Sequence, residues 1–67
     1  MNEGRVKVFD MLKGYGFITR PKGKDLFFHW SDVESKFQGA AVAAGMLVQY
    51  EIDEDKPHRA RNVQILT

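Results

Sequence analysis

The stretch KGYGFI, Lys13–Ile18, alternates two aromatic residues with two glycines directly behind a lysine. Neighbouring side chains of a strand point to opposite faces, so Tyr15 and Phe17 share one face. Gly16 and Ile18 share the other face, which is small and aliphatic and suits the tight interior of a small barrel. The pattern therefore predicts a strand whose two aromatic rings point outward.

A second stretch, DLFFHW at Asp25–Trp30, brings three more aromatic rings and a histidine into six residues. If Leu26 and Phe28, the larger apolar pair, face the interior, Phe27 and His29 face outward. Four flat rings on one outer surface form the kind of apolar patch that marks a binding site, and such rings stack on the bases of single strands. Aromatic residues in short strands are more often core, however, and composition alone leaves the two interpretations open.

Length and composition limit the class of protein. A chain of 67 residues is long enough for one domain, 1–67, and 43% hydrophobic with 28% charged residues indicates a globular fold. We expect no membrane span, no secretion signal and no disulfide, since the chain has no cysteine and no long apolar run, and hence a cytoplasmic location. His29 and His58 lie far apart without other ligands nearby, so no metal site is predicted.

The formal net charge of +1 conceals an uneven distribution. Basic residues dominate up to Lys24, whereas EIDED at 51–55 is strongly acidic. Lys7, Lys13 and Arg20 lie close in sequence to the aromatic stretches, so we expect them to meet phosphates.

Turn-forming residues divide the chain into short segments rich in Val, Ile, Phe and Tyr. These segments are predicted as strands at about 4–12, 15–20, 25–30, 46–53 and 59–66. Five short strands in so small a domain indicate a barrel or a sandwich, because an open sheet would leave one apolar face wet. Phe9, Phe28 and Tyr50 are assigned to the core.

The segment after Trp30 is the exception to the strand pattern. Ser31 with Glu34 matches a capping box, and residues 33, 37, 40 and 44 recur at helical spacing. Because Gly39 interrupts this pattern, the prediction is one helical turn after Ser31 followed by a loop.

Together, GRVKVFDMLKGYGFI and the following DLFFHWSDV resemble the cold-shock domain family, and GMLVQYEI and ARNV extend the resemblance over essentially the whole chain. KGYGFI alone also matches the start of the RRM signature. RRM domains, however, are longer, carry two helices and place the LFF-like motif first. The resemblance implies an all-β fold, a five-stranded antiparallel OB-fold barrel with a short helical turn after the third strand.

The resemblance also implies a function: binding of single-stranded RNA and DNA, often pyrimidine-rich, by a non-enzymatic RNA chaperone active in cold-shock or general gene-expression regulation. No cofactor is implied, and a monomer is expected. The family's binding positions fall on Lys7, Val8, Lys13, Tyr15, Phe17, Asp25, Phe27, His29, Trp30 and Phe37.

The chain departs from the family pattern in its first strand and the turn that follows. Val8 stands where a tryptophan is usual, and Asp10 stands where an asparagine is usual. Strict alternation from Val6 puts Val8 inside the barrel, whereas the resemblance puts it on the binding face, which requires a bulge. Met11 and Leu12 replace polar residues and leave room for a protein partner or weak self-association.

Two rival functions follow from what the sequence contains and lacks. A protein-interaction barrel that has lost nucleic-acid affinity is the alternative that the first-strand departures suggest. A hydrolytic enzyme has no support, because no motif brings a nucleophile, a base and an orienting group together. Near the end, DKPHRARNV adds Arg59 and Arg61 to the family pattern, without a predicted place for either.

Overall fold

The structure is a computed structural model that describes residues 2–34 and 42–66. These residues contain five strands and one 3-10 helix. The elements are β1 (Asn2–Asp10), β2 (Tyr15–Thr19), β3 (Leu26–His29), the 3-10 helix (Trp30–Asp32), β4 (Leu47–Ile52) and β5 (Ala60–Ile65). All five predicted strands are confirmed, with ends that differ by one or two residues. Phe37 and the helical spacing around it lie outside the described residues. Within those ranges no helix is long and apolar enough to cross a membrane.

The strands form one curled antiparallel sheet in the order β3-β2-β1-β4-β5. Its two edge strands approach each other through isolated parallel bridges that pair Phe27 with Arg59 and Val33 with Val63. The Phe27 N–H donates to the His58 carbonyl oxygen at 2.9 Å, across this closure. The sheet edges are thereby partly covered, as a small barrel requires.

The core follows the alternation of β2 and β3 that the sequence predicted. Gly16 and Ile18 are buried in β2, and Leu26 and Phe28 in β3. The buried hydrophobic cluster comprises Val6, Ile18, Leu26, Phe28, Val33, Val42, Val48, Tyr50, Ala60 and Val63. The core assignments of Phe28 and Tyr50 are confirmed.

Phe9 was also assigned to the core, but its side chain is only half buried. It pairs with Gly16 and therefore points to the interior face, where its ring lies 5.8 Å from the Phe28 ring. The reason for its partial exposure is its place near the end of β1, where the barrel opens. Gly16 is required opposite it, since an added Cβ would collide with the Val8 carbonyl oxygen and the Phe9 ring.

The helical turn after β3 is confirmed, but its predicted cap is wrong. The N-cap is His29, whose Nδ1 accepts from the Ser31 N–H at 3.1 Å, while Asp32 Oδ2 accepts from the His29 N–H at 2.9 Å. Glu34 instead accepts a hydrogen bond from Gln64 at 2.6 Å. The helix begins directly where β3 ends, and the chain is extended again at Val33, so Glu34 is beyond reach of the cap.

Candidate nucleic-acid interface

A bulge in β1 decides which side of the barrel Val8 occupies. Val6 pairs with Ile18, but Val8 pairs with Phe17, so one extra residue lies between the two pairs on β1. Residues paired across antiparallel strands project to the same side, and Val8 accordingly joins Phe17 on the outer face with 50% of its surface exposed. The placement implied by the family resemblance is confirmed, and strict alternation is wrong at this position.

Three rings on β2 and β3 form the outer aromatic cluster, defined here as Tyr15, Phe17 and Phe27. Phe27 lies 5.6 Å from Tyr15 and 5.9 Å from Phe17, and the latter two are 6.3 Å apart. Their outward orientation was predicted and is confirmed. Each ring is half buried because the neighbours contact one another, which fixes the rings while leaving part of each exposed.

The turn pocket, a concavity of about 400 Å³, lies at the end of the barrel where β1, β2 and the 3-10 helix meet. It is lined by Phe9, Met11, Leu12, Lys13, Gly14, His29, Trp30 and Val42. The Trp30 N–H donates to the Gly14 carbonyl oxygen at 2.7 Å, which ties the helix to the β1–β2 turn. His29 Nδ1 accepts the Ser31 N–H at 3.1 Å, and the ring lies beside Gly14. Three predicted binding residues, Lys13, His29 and Trp30, thus lie in one pocket.

Asp10 organises the turn that forms one wall of this pocket. Its Oδ1 accepts the N–H groups of Leu12 and Lys13, both at 3.0 Å, and its carbonyl oxygen accepts the Gly14 N–H at 2.7 Å. The carboxylate, which stands where an asparagine is usual in the family pattern, therefore accepts its hydrogen bonds within the turn. Met11 and Leu12 are 80% and 99% exposed as a result of the same turn.

The predicted cations are arranged unequally around the aromatic surface. Lys7 forms a 2.9 Å ion pair with Asp25, so these two predicted site residues lie together. Lys13 is exposed in the β1–β2 turn. The Arg20 Nε donates to the Lys24 carbonyl oxygen at 2.8 Å and stabilises the turn at 21–24, which makes it a structural residue there.

Arg59 is the member of this surface whose place the sequence did not indicate. Its guanidinium carbon lies over the Phe27 ring, 5.8 Å from the centroid, and its Nη2 lies 3.0 Å from Asp32 Oδ2. The closure of the sheet brings the start of β5 beside β3. No local pattern around residue 59 carries this information, because the contact joins residues distant in sequence.

The assembled surface combines flat rings, cations at its margin and an apolar pocket at one end. Such a surface stacks bases and neutralises phosphates. Across residues 2–34 and 42–66, no three His, Asp or Glu side chains come together in a way that would hold a metal ion.

Comparisons with known proteins agree with this geometry. The model of the 'Cold-shock' DNA-binding domain matches residues 2–66. The chain is 48% identical over 54 residues to a cold shock-like protein of Thermotoga maritima, covering 79% of each chain. It is 36% identical over 66 residues to cold shock protein CspC of Bacillus subtilis, covering 96% of this chain and 97% of that protein.

Among solved structures, the chain is similar to one described as drosophila Unr CSD456, with a TM-score of 0.77 and 20% identity. The match covers 98% of this chain and 26% of that one, so this chain spans about a quarter of its length. At this identity the likeness concerns the fold, and it confirms the OB-fold barrel.

Proposed function

The chain belongs to the cold-shock domain family, whose members bind single-stranded nucleic acid, and from this premise we propose that it is an RNA chaperone that binds pyrimidine-rich single-stranded RNA and DNA. The observation that carries the proposal is the outer aromatic cluster, three rings fixed side by side on the outer face of adjacent strands.

Base stacking supplies the affinity in this proposal. Each base stacked on an aromatic side chain contributes roughly 1–3 kcal/mol, and every base has a π-face, so the surface tolerates many sequences. Duplexes bind poorly, because paired bases keep their faces stacked on each other. The proposed binding residues are Lys7, Val8, Lys13, Tyr15, Phe17, Asp25, Phe27, His29, Trp30 and Phe37.

The individual roles follow from the positions of the side chains. The cluster rings stack bases, and the turn pocket takes a further base between His29 and Trp30. Lys13 meets phosphates at the rim of that pocket. Lys7 is held by Asp25, so its contribution to phosphate binding is smaller than that of an unpaired lysine. Val8 offers aliphatic contact without a ring to stack.

Chaperone activity needs no energy source, because binding alone shifts the folding equilibrium of an RNA. A protein that binds the unpaired form of an RNA shifts its folding equilibrium toward that form by an amount set by affinity and concentration. In this proposal the protein is a cytoplasmic monomer that uses no cofactor and catalyses no reaction.

A titration followed through Trp30 fluorescence tests the proposal. Short oligo-dT, oligo-U and a DNA duplex of equal length are added at two salt concentrations. We expect quenching by both single strands at low salt, weaker binding at high salt, and much weaker binding of the duplex. Anisotropy of a labelled strand serves as a second readout. If no single strand bound at low salt by either readout, the proposal would be wrong.

A protein-interaction barrel is the second candidate, and the exposure of Met11 and Leu12 is the observation that favours it. The double variant Met11→Ser with Leu12→Ser separates the two functions. If nucleic-acid binding is the function, the double variant should bind oligo-U no more than about twofold more weakly than the native chain, because it loses only contacts at the wall of the turn pocket. The second candidate would be favoured if the native chain bound no single strand and dimerised with rising concentration, and if the double variant abolished that dimerisation.

A further inference from the structure

Arg59 is held in place beside the outer aromatic cluster by the same carboxylate that caps the 3-10 helix. Asp32 Oδ2 accepts the His29 N–H at 2.9 Å, and the Arg59 Nε and Nη2 lie at 3.1 and 3.0 Å from the same oxygen. The Asp32 side chain is only 14% exposed and that of Arg59 only 27%. A carboxylate anchored by the backbone in this way fixes the guanidinium plane before any ligand arrives.

The ion pair uses only part of the hydrogen-bonding capacity of the Arg59 guanidinium. A guanidinium has five N–H donors; the Nε of Arg59 donates to Asp32 Oδ2, and Nη2 lies 3.0 Å from the same oxygen in the ion pair. Within residues 2–34 and 42–66, Nη1 has no hydrogen-bond partner. The remaining donors therefore form a planar fork next to Phe27.

A base stacked on Phe27 meets this fork with its edge. Stacked rings lie about 3.5–4 Å apart. The guanidinium carbon lies over the Phe27 ring at 5.8 Å from its centroid, beyond stacking distance, so a base that stacks on the uncovered part of the ring has its edge toward the guanidinium. The carboxylate neutralises the guanidinium, so the pair attracts phosphates weakly, whereas its hydrogen-bonding directions remain intact.

The chemistry of the fork selects among the four bases. Guanine presents two adjacent acceptors, O6 and N7, which arginine binds in a bidentate manner. Adenine places an amino donor beside N7, and uracil and thymine have an N–H between their two carbonyl groups. Cytosine also has adjacent acceptors, N3 and O2, but it offers a smaller ring to stack. We infer that Arg59 makes the position above Phe27 selective for guanine within an otherwise pyrimidine-rich strand, an inference that rests on the proposed function.

A position scan with base analogues tests this inference on the unaltered protein. A single guanine is moved through each position of an oligo-U heptamer, and one position is expected to tighten binding about five- to tenfold relative to oligo-U, the lower end of what a bidentate pair gives. Inosine, which keeps O6 and N7, should retain the gain, whereas 7-deazaguanine, which lacks N7, should lose most of it.

Two variants assign the effect to one side chain. Arg59→Lys keeps the charge but removes the planar fork, and should reduce the guanine gain, measured against the oligo-U affinity of the same variant, below about twofold. Arg61→Lys, at an exposed position two residues further along the chain in β5, should retain the full gain. If Arg59→Lys lowers the thermal midpoint, the analogue series on the native chain decides.

The outcomes distinguish this inference from the function on which it rests. Failure to bind any single strand would overturn both. Three outcomes would overturn only the role of Arg59. The chain could bind oligo-U with no gain from guanine at any position, or the gain could persist in Arg59→Lys. The third is equal binding of strands that contain 7-deazaguanine and guanine.

Discussion

Replacing Val8 with tryptophan adds a ring to the nucleic-acid surface at a position where the structure has room for it. Val8 follows the β1 bulge, pairs with Phe17 and is 50% exposed, so an indole there extends outward beside the cluster. Asp10 engages the backbone of its own turn, so its carboxylate has little freedom to move toward a bound strand.

The expected gain in affinity for oligo-U is about 1 kcal/mol, or about fivefold. A base stack contributes roughly 1–3 kcal/mol, and the lower end applies because Val8 already offers aliphatic contact and the added ring remains partly in solvent. The thermal midpoint should stay within about 4 °C, since substitutions at exposed positions usually change stability by less than about 0.5 kcal/mol.

Anisotropy of a labelled oligo-U strand measures the affinity without interference from the second tryptophan, and thermal unfolding measures stability. Val8→Leu is the matched control, because it enlarges the side chain without adding a flat ring. If Val8→Trp bound no tighter than Val8→Leu, the stacking explanation would be refuted. A fall of about 4–24 °C in the thermal midpoint, which corresponds to 1–3 kcal/mol of overpacking, would refute the outward placement.

The remaining predictions concern the cluster, the phosphates and the barrel interior. Phe27→Ala should weaken single-strand binding by roughly 1–3 kcal/mol in a folded protein, whereas unfolding with unchanged residual affinity would make Phe27 a core residue. The slope of log affinity against log salt should correspond to ~2–4 phosphate contacts at about −0.7 each, and a slope near zero or steeper than about −4 would contradict the placement of the cations. Gly16→Ala should cost about 1–3 kcal/mol of stability in chemical unfolding, because the added Cβ meets the Val8 carbonyl oxygen, and an unchanged unfolding midpoint would contradict this close approach. Burial raises the pKa of Tyr50 above its usual 10.0, an effect that Arg20 partly offsets. Burial of the neutral Tyr50 phenol contributes to the free energy of unfolding, and this contribution is complete below pH 10 and is lost as the pH rises through the raised pKa. Tyr50→Phe should therefore lose less stability above pH 10 than the native chain does.

Local sequence separates the two faces of β2 and β3. Successive side chains of a strand must alternate, so KGYGFI and DLFFHW put Tyr15 and Ile18 on opposite faces, and likewise Phe27 and Phe28, and the family resemblance indicated which face is outside. The number of strands was readable for a related reason, since turn residues act within a few positions of themselves. The spacing of the two stretches also sufficed to indicate the family.

The features that join distant residues depend on the tertiary fold. The β1 bulge depends on how β1 pairs with β2, and it reverses the face that alternation assigns to Val8. The cap at His29 depends on where β3 ends, which favoured Asp32 over the sequence match of Ser31 with Glu34. Arg59 reaches Phe27 only because the sheet curls until β5 meets β3, and contacts that close a barrel leave no periodic signal in the chain.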